Sequence, residues 1–313
     1  MIMKIRAART RIKNYIVKTE LEFSEYLSSQ CGCKVYLKLE NRQVTNSFKI
    51  RGACNKILTT KLSTTNGFVA ASSGNHAAAF AYLAQQMGFV GIIFLPVTVP
   101  KAKLDALKSY PVQVVQFGYD TLEAEYEAKR FGREKEMPYV SPYNNLSVIQ
   151  GQGTLGLEIH DQLLNVHTVF IPVGGGGLAA GVGSYFKKAR PLTQIIGCQP
   201  FNSKVMYESV MAGKILKLKS ESTLADGTAG GIEKRAITFP ICSKVIDDWV
   251  LVKEWEILDA IRIMISYHDM LIEGAAALTV AGLLKRHQDL EDKNVVLIIT
   301  GERVTKDVLK ELA

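Results

Sequence analysis

The 313-residue chain is 47% hydrophobic and 22% charged, apolar enough for a full core. No stretch reaches the roughly 18 uninterrupted apolar residues that a membrane span requires. The formal net charge is +8, but the basic residues are dispersed, so a solvated surface facing a small anionic ligand is expected and a nucleic-acid partner is not.

The start, Met1 to Arg11, is basic and lacks the apolar run and small-residue cleavage site of a secretory signal, so a cytoplasmic location is expected. Val35-Tyr36-Leu37-Lys38-Leu39 reads as a strand, and Ser47 to Leu58 has helical spacing. Phe68 to Ala71 is a short strand followed by a helix over Asn75 to Met87. Gly91 to Leu95 is a strand closed by Pro96, and Lys101 to Ser109 is helical. Val112 to Gln116 is a strand, and Thr121 to Phe131 a helix. Thr168 to Val173, Gln194 to Gln199 and Asn294 to Thr300 are further strands with helices between them. The basic groups at Lys187-Lys188-Ala189-Arg190 and Lys285-Arg286 read as solvated helix ends. Strand–helix alternation over nearly the whole length predicts an α/β fold with parallel sheets covered on both faces.

The five cysteines, Cys31, Cys33, Cys54, Cys198 and Cys242, are odd in number, and only Cys31-Gly32-Cys33 form a close pair. A zinc site would need a second pair, so reduced, structural cysteines are expected.

Two glycine-rich segments invite different readings. Gly151-Gln152-Gly153-Thr154-Leu155-Gly156 fits a dinucleotide pattern, but a turn-rich segment, Ser141 to Asn145, precedes it where that pattern needs a strand. It reads as a tight turn opening a helix. Gly174-Gly175-Gly176-Gly177 stands between the strand ending at Val173 and the helical run Leu178 to Ala189. Unobstructed backbone N–H groups at a helix N-terminus make a phosphate cup. Ser72-Ser73-Gly74-Asn75-His76 likewise follows a strand and opens a helix, which suits a carboxylate, with Ser73 or Asn75 as a candidate N-cap. Lys49 starts a helix after a polar loop, where a lysine can form a Schiff base.

In order and spacing these segments resemble the fold-type II pyridoxal-phosphate enzymes, in the threonine/serine dehydratase and serine racemase branch. The resemblance runs from Ala7–Ile12 through Lys38–Gln43, Ser47–Ala53, Ser72–His76, Gly151–Thr154 and Pro172–Leu178 to Ala225-Asp226-Gly227. It implies a fold like the tryptophan synthase β chain, with two parallel-sheet α/β domains and pyridoxal 5′-phosphate between them. The large domain would comprise 1–66 and 146–313, and a small mobile domain 67–145. It further implies that Lys49 carries the cofactor and acts as base at the substrate Cα. Phe48 would back the ring, Asn75 would bond its 3′-oxygen, and Gly174, Gly175, Gly176 and Gly177 would hold the phosphate. Ser72, Ser73, Asn75 and His76 would bind substrate, and Thr300 and Glu273 would neighbour the cofactor. The cofactor phosphate would protonate the leaving hydroxyl. The implied reaction is elimination of water from L-threonine and/or L-serine to a 2-oxo acid and ammonia. Because Ser73 could serve the opposite face of Cα, amino-acid racemisation is the alternative.

The chain departs from this pattern in three places. Thr300-Gly301-Glu302-Arg303 stands for the usual Ser-Gly-Gly-Asn, and Glu273-Gly274 for Glu-Pro. Gln199 and Val205 occupy the places where racemase relatives have two anionic metal ligands, so no strong divalent-metal site is expected. With the chain ending at Ala313, a short catabolic-type enzyme without a regulatory domain is expected. The resemblance implies a homodimer or larger homo-oligomer.

Overall fold

The computed structural model describes residues 1–60 and 65–312; residues 61–64, within the expected 1–66 segment, lie outside them. The strands are β1 (Leu21–Phe23), β2 (Lys34–Leu39), β3 (Phe68–Ala71), β4 (Gly91–Leu95), β5 (Val112–Gln116), β6 (Thr168–Pro172), β7 (Gln194–Pro200), β8 (Asp248–Val252) and β9 (Asn294–Ile299). They form a six-stranded sheet in the order β1-β2-β9-β6-β7-β8 and a three-stranded sheet β3-β4-β5. Every pairing is parallel except that of β1 with β2. All residues of β3, β4 and β6 are buried, as strands covered on both faces must be.

The helices are α1 (Ile2–Ile12), α2 (Glu25–Cys31), α3 (Lys49–Thr59), α4 (Asn75–Met87), α5 (Lys101–Asp105), α6 (Thr121–Glu134) and α7 (Leu146–Gln162). They continue with α8 (Gly177–Ala189), α9 (Val205–Met211), α10 (Thr238–Val245), α11 (Glu254–His268), α12 (Gly274–Lys285) and α13 (Lys306–Leu312). The helix read over Lys101 to Ser109 stops at Asp105 and continues as turns, whereas α6 runs three residues beyond its expected end, to Glu134. Four cores among the described residues support these layers. One lies between α2, α11, α12 and the large sheet, and a second between that sheet and α7 and α8. Another joins Val69, Ala71, Ile92 and Phe94 of the small sheet to Ala124 and Ala128 of α6. The fourth joins Ile12 of α1 and Ile50, Ala53, Cys54 and Ile57 of α3 to Phe68, Ala70 and Phe80 around the small sheet. Helix α3, which begins at Lys49, therefore packs with the small sheet although it precedes that sheet in sequence.

The segment Gly151 to Gly156 is not a turn opening a helix; it lies inside the 17-residue α7. Its glycines permit close helix crossings. A Cβ on Gly151 would stand 2.4 Å from the Arg51 carbonyl oxygen, and one on Gly153 would meet Ile5 at 2.6 Å. Gly181 of α8 faces the same seam, 2.6 Å from the Gly153 nitrogen by the same measure. The helix is instead opened by Asn145, whose side chain accepts hydrogen bonds from the Ser147 and Val148 N–H groups.

All five cysteines are free and buried. No helix among the described residues is long and apolar enough to cross a membrane. Both basic clusters end helices, and three of their charges are paired: Lys187 with Asp247, Lys285 with Glu256, and Arg286 with Asp248 and Asp289.

Candidate active site

The segments singled out in the sequence converge outside the carboxyl ends of the parallel strands, where open α/β sheets bind ligands. Ser72–His76 follows β3, Gly174–Gly177 follows β6, and Thr300 follows β9. The turn before Lys49 is joined to the β9 end by a Ser47–Gly301 bridge and by Phe48 N–H donating to the Thr300 carbonyl at 3.1 Å.

Lys49 is half-buried. Its Nζ donates to the Pro142 carbonyl at 3.3 Å and lies 5.1 Å from the centroid of the Phe48 ring. Burial lowers its pKa to about 8, opposed by the nearby Glu273 and Glu125 carboxylates. A lysine so placed reaches its neutral, nucleophilic form at modest cost.

Asn75, Glu273 and Thr300 form one hydrogen-bonded chain. Asn75 Nδ2 donates to Glu273 Oε2 at 2.6 Å, and the Thr300 hydroxyl donates to Glu273 Oε1 at 2.9 Å. Burial raises the Glu273 carboxyl to about 7 despite both donors. The Thr300 hydroxyl is thus held by Glu273. Asn75 Oδ1 is buried without a partner.

Neither Ser73 nor Asn75 caps α4: the N-cap is Gly74, and no side chain caps the helix. Asn75 is drawn to Glu273 instead, and Ser72 Oγ accepts from the Gly74 N–H at 3.2 Å, tightening the loop. The first N–H groups of α4 are therefore free for an anion. His76 is buried, with Nε2 2.8 Å from the Val140 carbonyl oxygen. Burial first, and Lys49 second, lower its pKa to about 4, so the ring is neutral and donates to that carbonyl. Its side chain is engaged by Val140.

The glycine loop opens α8 at an uncapped Gly176 with φ +82°, a conformation that strains any residue with a side chain. Tyr143 covers the loop closely: a Cβ on Gly175 would meet its ring at 2.5 Å, and one on Gly177 its Cα and Cβ at 3.0 Å. The structure thus has two uncapped N-termini of 13-residue helices, a lysine with only a carbonyl partner, and an orphaned amide oxygen. These fit an aromatic aldehyde phosphate with an adjacent amino-acid carboxylate.

The family described as pyridoxal-phosphate dependent enzyme matches residues 12–301. The chain belongs to that family. A catabolic L-threonine dehydratase of Staphylococcus aureus is 39% identical over 305 residues, 96% of this chain and 88% of the relative. The processed form of threonine deaminase isoform 2 from Solanum lycopersicum superposes with a TM-score of 0.94 at 34% identity, covering 99% of this chain and 86% of that one. Maize serine racemase superposes with a TM-score of 0.92 at 30% identity, covering 99% and 96%. The fold is that of the fold-type II pyridoxal-phosphate enzymes.

The altered C-terminal loop of this enzyme is anchored locally. Glu302 accepts from the Asn46 side chain, and its N–H donates to the Asn46 carbonyl at 3.3 Å, so the replacement braces the turn before Lys49. A Cβ on Gly274 would stand 2.0 Å from the Leu224 carbonyl oxygen, which accounts for glycine after Glu273. Gln199 Oε1 accepts from the Tyr207 N–H at 2.7 Å, and Val205 is buried. No group of three metal-ligating side chains occurs among the described residues.

Two groups of residues escaped the sequence reading. One is the buried four-charge network of Lys38, Glu40, Arg51 and Glu158 behind α3. The other surrounds Glu125 of α6 and includes Lys129, Tyr139, Tyr143 and Glu233. A signal existed for the second: Glu125 shares the buried stripe of α6 with Ala124, Ala128 and Gly132, where an apolar residue is the rule.

Proposed function

We propose that this enzyme eliminates water from L-threonine, L-serine or both, releasing a 2-oxo acid and ammonia, the chemistry named for its threonine dehydratase relatives. The observation that carries this reading is Lys49 Nζ, its basicity lowered by burial, close enough to His76 at the uncapped start of α4 to influence it and bonded to Pro142, next to the Tyr143 that packs on the Gly174–Gly177 loop. Pyridoxal phosphate, when bound, supplies the electron sink that acidifies the substrate Cα–H bond. Lys49 holds the cofactor and then takes the Cα proton, and Phe48 backs the ring. The N–H groups of Gly174, Gly175, Gly176 and Gly177 hold the phosphate. Asn75 serves the ring oxygen, while the Thr300 hydroxyl neighbours the ring nitrogen and is itself held by Glu273. Ser72, Asn75 and His76, through the loop and the start of α4, bind the substrate carboxylate.

The segment 67–145 carries the three-stranded sheet and is inferred to close on the remainder over substrate, excluding water. Assembly into a homodimer or larger homo-oligomer in the cytoplasm is part of the same reading, and light scattering tests the assembly. Racemisation is the second reading, favoured by Ser73, whose hydroxyl has no hydrogen-bond partner among the described residues on the loop that opens α4.

The test is to add L-threonine and L-serine to purified holoenzyme, quantify 2-oxo acid, and follow the enantiomers by chiral chromatography. Oxo acid release supports the dehydratase. Formation of the opposite enantiomer without oxo acid moves the function to racemase, and absence of both refutes the proposal.

A further inference from the structure

Closure of the segment 67–145 on the rest of the chain needs contacts that form across the gap and release again. Among the described residues, two ion pairs join side chains on opposite sides of that division. Lys129 Nζ of α6 lies 2.8 Å from Glu233 Oε2, and Lys103 Nζ of α5 lies 3.8 Å from Asp226 Oδ2. The backbones flanking the first pair belong to different cores. On α6, Ala128 beside Lys129 and Ala124 one turn earlier pack with Val69, Ala71, Ile92 and Phe94 of the small sheet. Ile232 beside Glu233, with Ile237 and Phe239, packs on the core that contains α7, α8 and one face of the large sheet. The Lys129–Glu233 pair therefore ties the body of one sheet to that of the other.

The geometry suits a contact that both holds and lets go. The two side chains are 24% and 21% exposed, so solvent and salt screen the pair less than a surface pair, while each charge regains water when the gap opens. The Lys129 ammonium stands 5.2 Å from the centroid of the Tyr139 ring, which belongs to its own side of the gap and keeps it in place. Glu233 is engaged through one oxygen, its Oε1 being buried without a partner among the described residues. The Lys103–Asp226 pair is longer and 40% and 44% exposed, and so is the weaker of the two. Glu233 is also connected to the candidate active site by direct contacts. Its N–H donates to the Tyr143 hydroxyl at 3.0 Å, and the Ile237 N–H donates to Asn144 Oδ1 at 2.8 Å. Tyr143 packs on Gly175 and Gly177, and Pro142 before it accepts from Lys49. Holding Glu233 thus holds the turn that covers the glycine loop and touches the lysine.

We propose that Lys129 and Glu233 are positioning residues whose ion pair is a clasp, holding the 67–145 segment closed over bound substrate and breaking at each opening. The clasp rests on the closure inferred under the proposed function and names the contact that governs it. Its contribution to the closing equilibrium is about fivefold, or roughly 1 kcal/mol at 1.4 kcal/mol per tenfold, the upper end for an incompletely buried pair. Substrate is held in the closed form, so a weaker clasp raises the substrate concentration that is needed. The chemical step inside the closed complex is left as it was.

The test measures closure apart from turnover. L-alanine has no β-leaving group, so it occupies the holoenzyme without being eliminated; cofactor absorbance reports its binding and small-angle scattering the compaction. Wild type is expected to compact, and Lys129→Met to need about fivefold more L-alanine for the same change. In 2-oxo acid release from L-threonine or L-serine, the variant is expected to raise KM about fivefold with kcat within about twofold of wild type. Glu233→Gln should match it, and the double variant should lose no more than either single one. Lys129→Arg, which keeps the charge, should stay near wild type. Losses that add in the double variant, or single variants that compact and bind as wild type does, would overturn the clasp. So would a fall in kcat at unchanged KM. Wild type whose absorbance shifts with L-alanine while its dimensions stay fixed would overturn the closure reading and the clasp with it. Failure of both β-hydroxy amino acids to react refutes the elimination reading alone, because the scattering with L-alanine still decides the clasp.

Discussion

Removing the guanidinium of Arg51 tests how α3, and so Lys49 two residues earlier, is held. Arg51 is fully buried. It donates to Glu40 through Nε and Nη2 at 2.7 and 2.8 Å, to Glu158 through Nη1 and Nη2 at 2.7 and 2.8 Å, and to the Thr154 hydroxyl at 3.2 Å. Lys38, also fully buried, donates to Glu158 at 3.0 Å, so two cations balance two anions. In Arg51→Met, Glu158 keeps Lys38, but Glu40 is left with only the Thr19 hydroxyl at 2.6 Å. Stranding one buried charge costs about 3–5 kcal/mol. With an unfolding entropy near 2.1 cal/mol/K per residue, a chain of 313 residues converts this to a Tm loss of about 5–8 °C. Scanning calorimetry of holoenzyme measures it. Arg51→Met combined with Glu40→Gln restores neutrality and is expected to regain at least half of the loss. A single variant within about 2 °C of wild type would show that the network is energetically idle. A double variant no better than the single one would place the cost in packing and refute the charge argument.

Three further outcomes follow from named contacts. Lys49→Ala is expected to abolish the yellow covalent cofactor absorbance together with 2-oxo acid formation; retention of both would displace Lys49 from its role. Reconstitution of stripped enzyme with pyridoxal phosphate needs the neutral amine, so its rate should rise with pH and level off above about 8, the value to which burial lowers Lys49. A half-maximal rate near 10.5, the ordinary lysine value, would contradict that environment. Gly151→Ala drives a methyl to 2.4 Å from the Arg51 carbonyl oxygen, a backbone atom that cannot move alone. It should cost about 1–3 kcal/mol by overpacking, visible as a lowered urea midpoint, and an unchanged midpoint would mean the α3–α7 seam is looser than described.

Much of this enzyme is legible in one dimension because its signals are local. The buried parallel strands are unbroken apolar runs, as at Gly91–Leu95 and Thr168–Pro172, and the anion-binding helix starts follow strands directly. Four consecutive glycines before α8 announce a backbone that must approach a ligand. Lys49, the Ser72–His76 segment and the glycine loop could be singled out from local pattern, whereas Thr300 and Glu273 came only from the family resemblance. Tertiary contacts decided the rest. Gly151-Gln152-Gly153 reads as a turn from composition and becomes helix interior, because glycine is needed there to let α1, α3 and α8 approach α7. Asn75 has the chemistry of an N-cap and is diverted to Glu273, 198 residues away in sequence. Lys38 resembles an exposed strand lysine until Glu158 and Gln162 arrive from α7. Glu125 looks like one more charge on an amphipathic helix, and only the fold shows it on the buried face of α6. Local sequence fixes which backbone forms where; the cost of burying charge, set by partners distant in the chain, determines what each polar side chain is for.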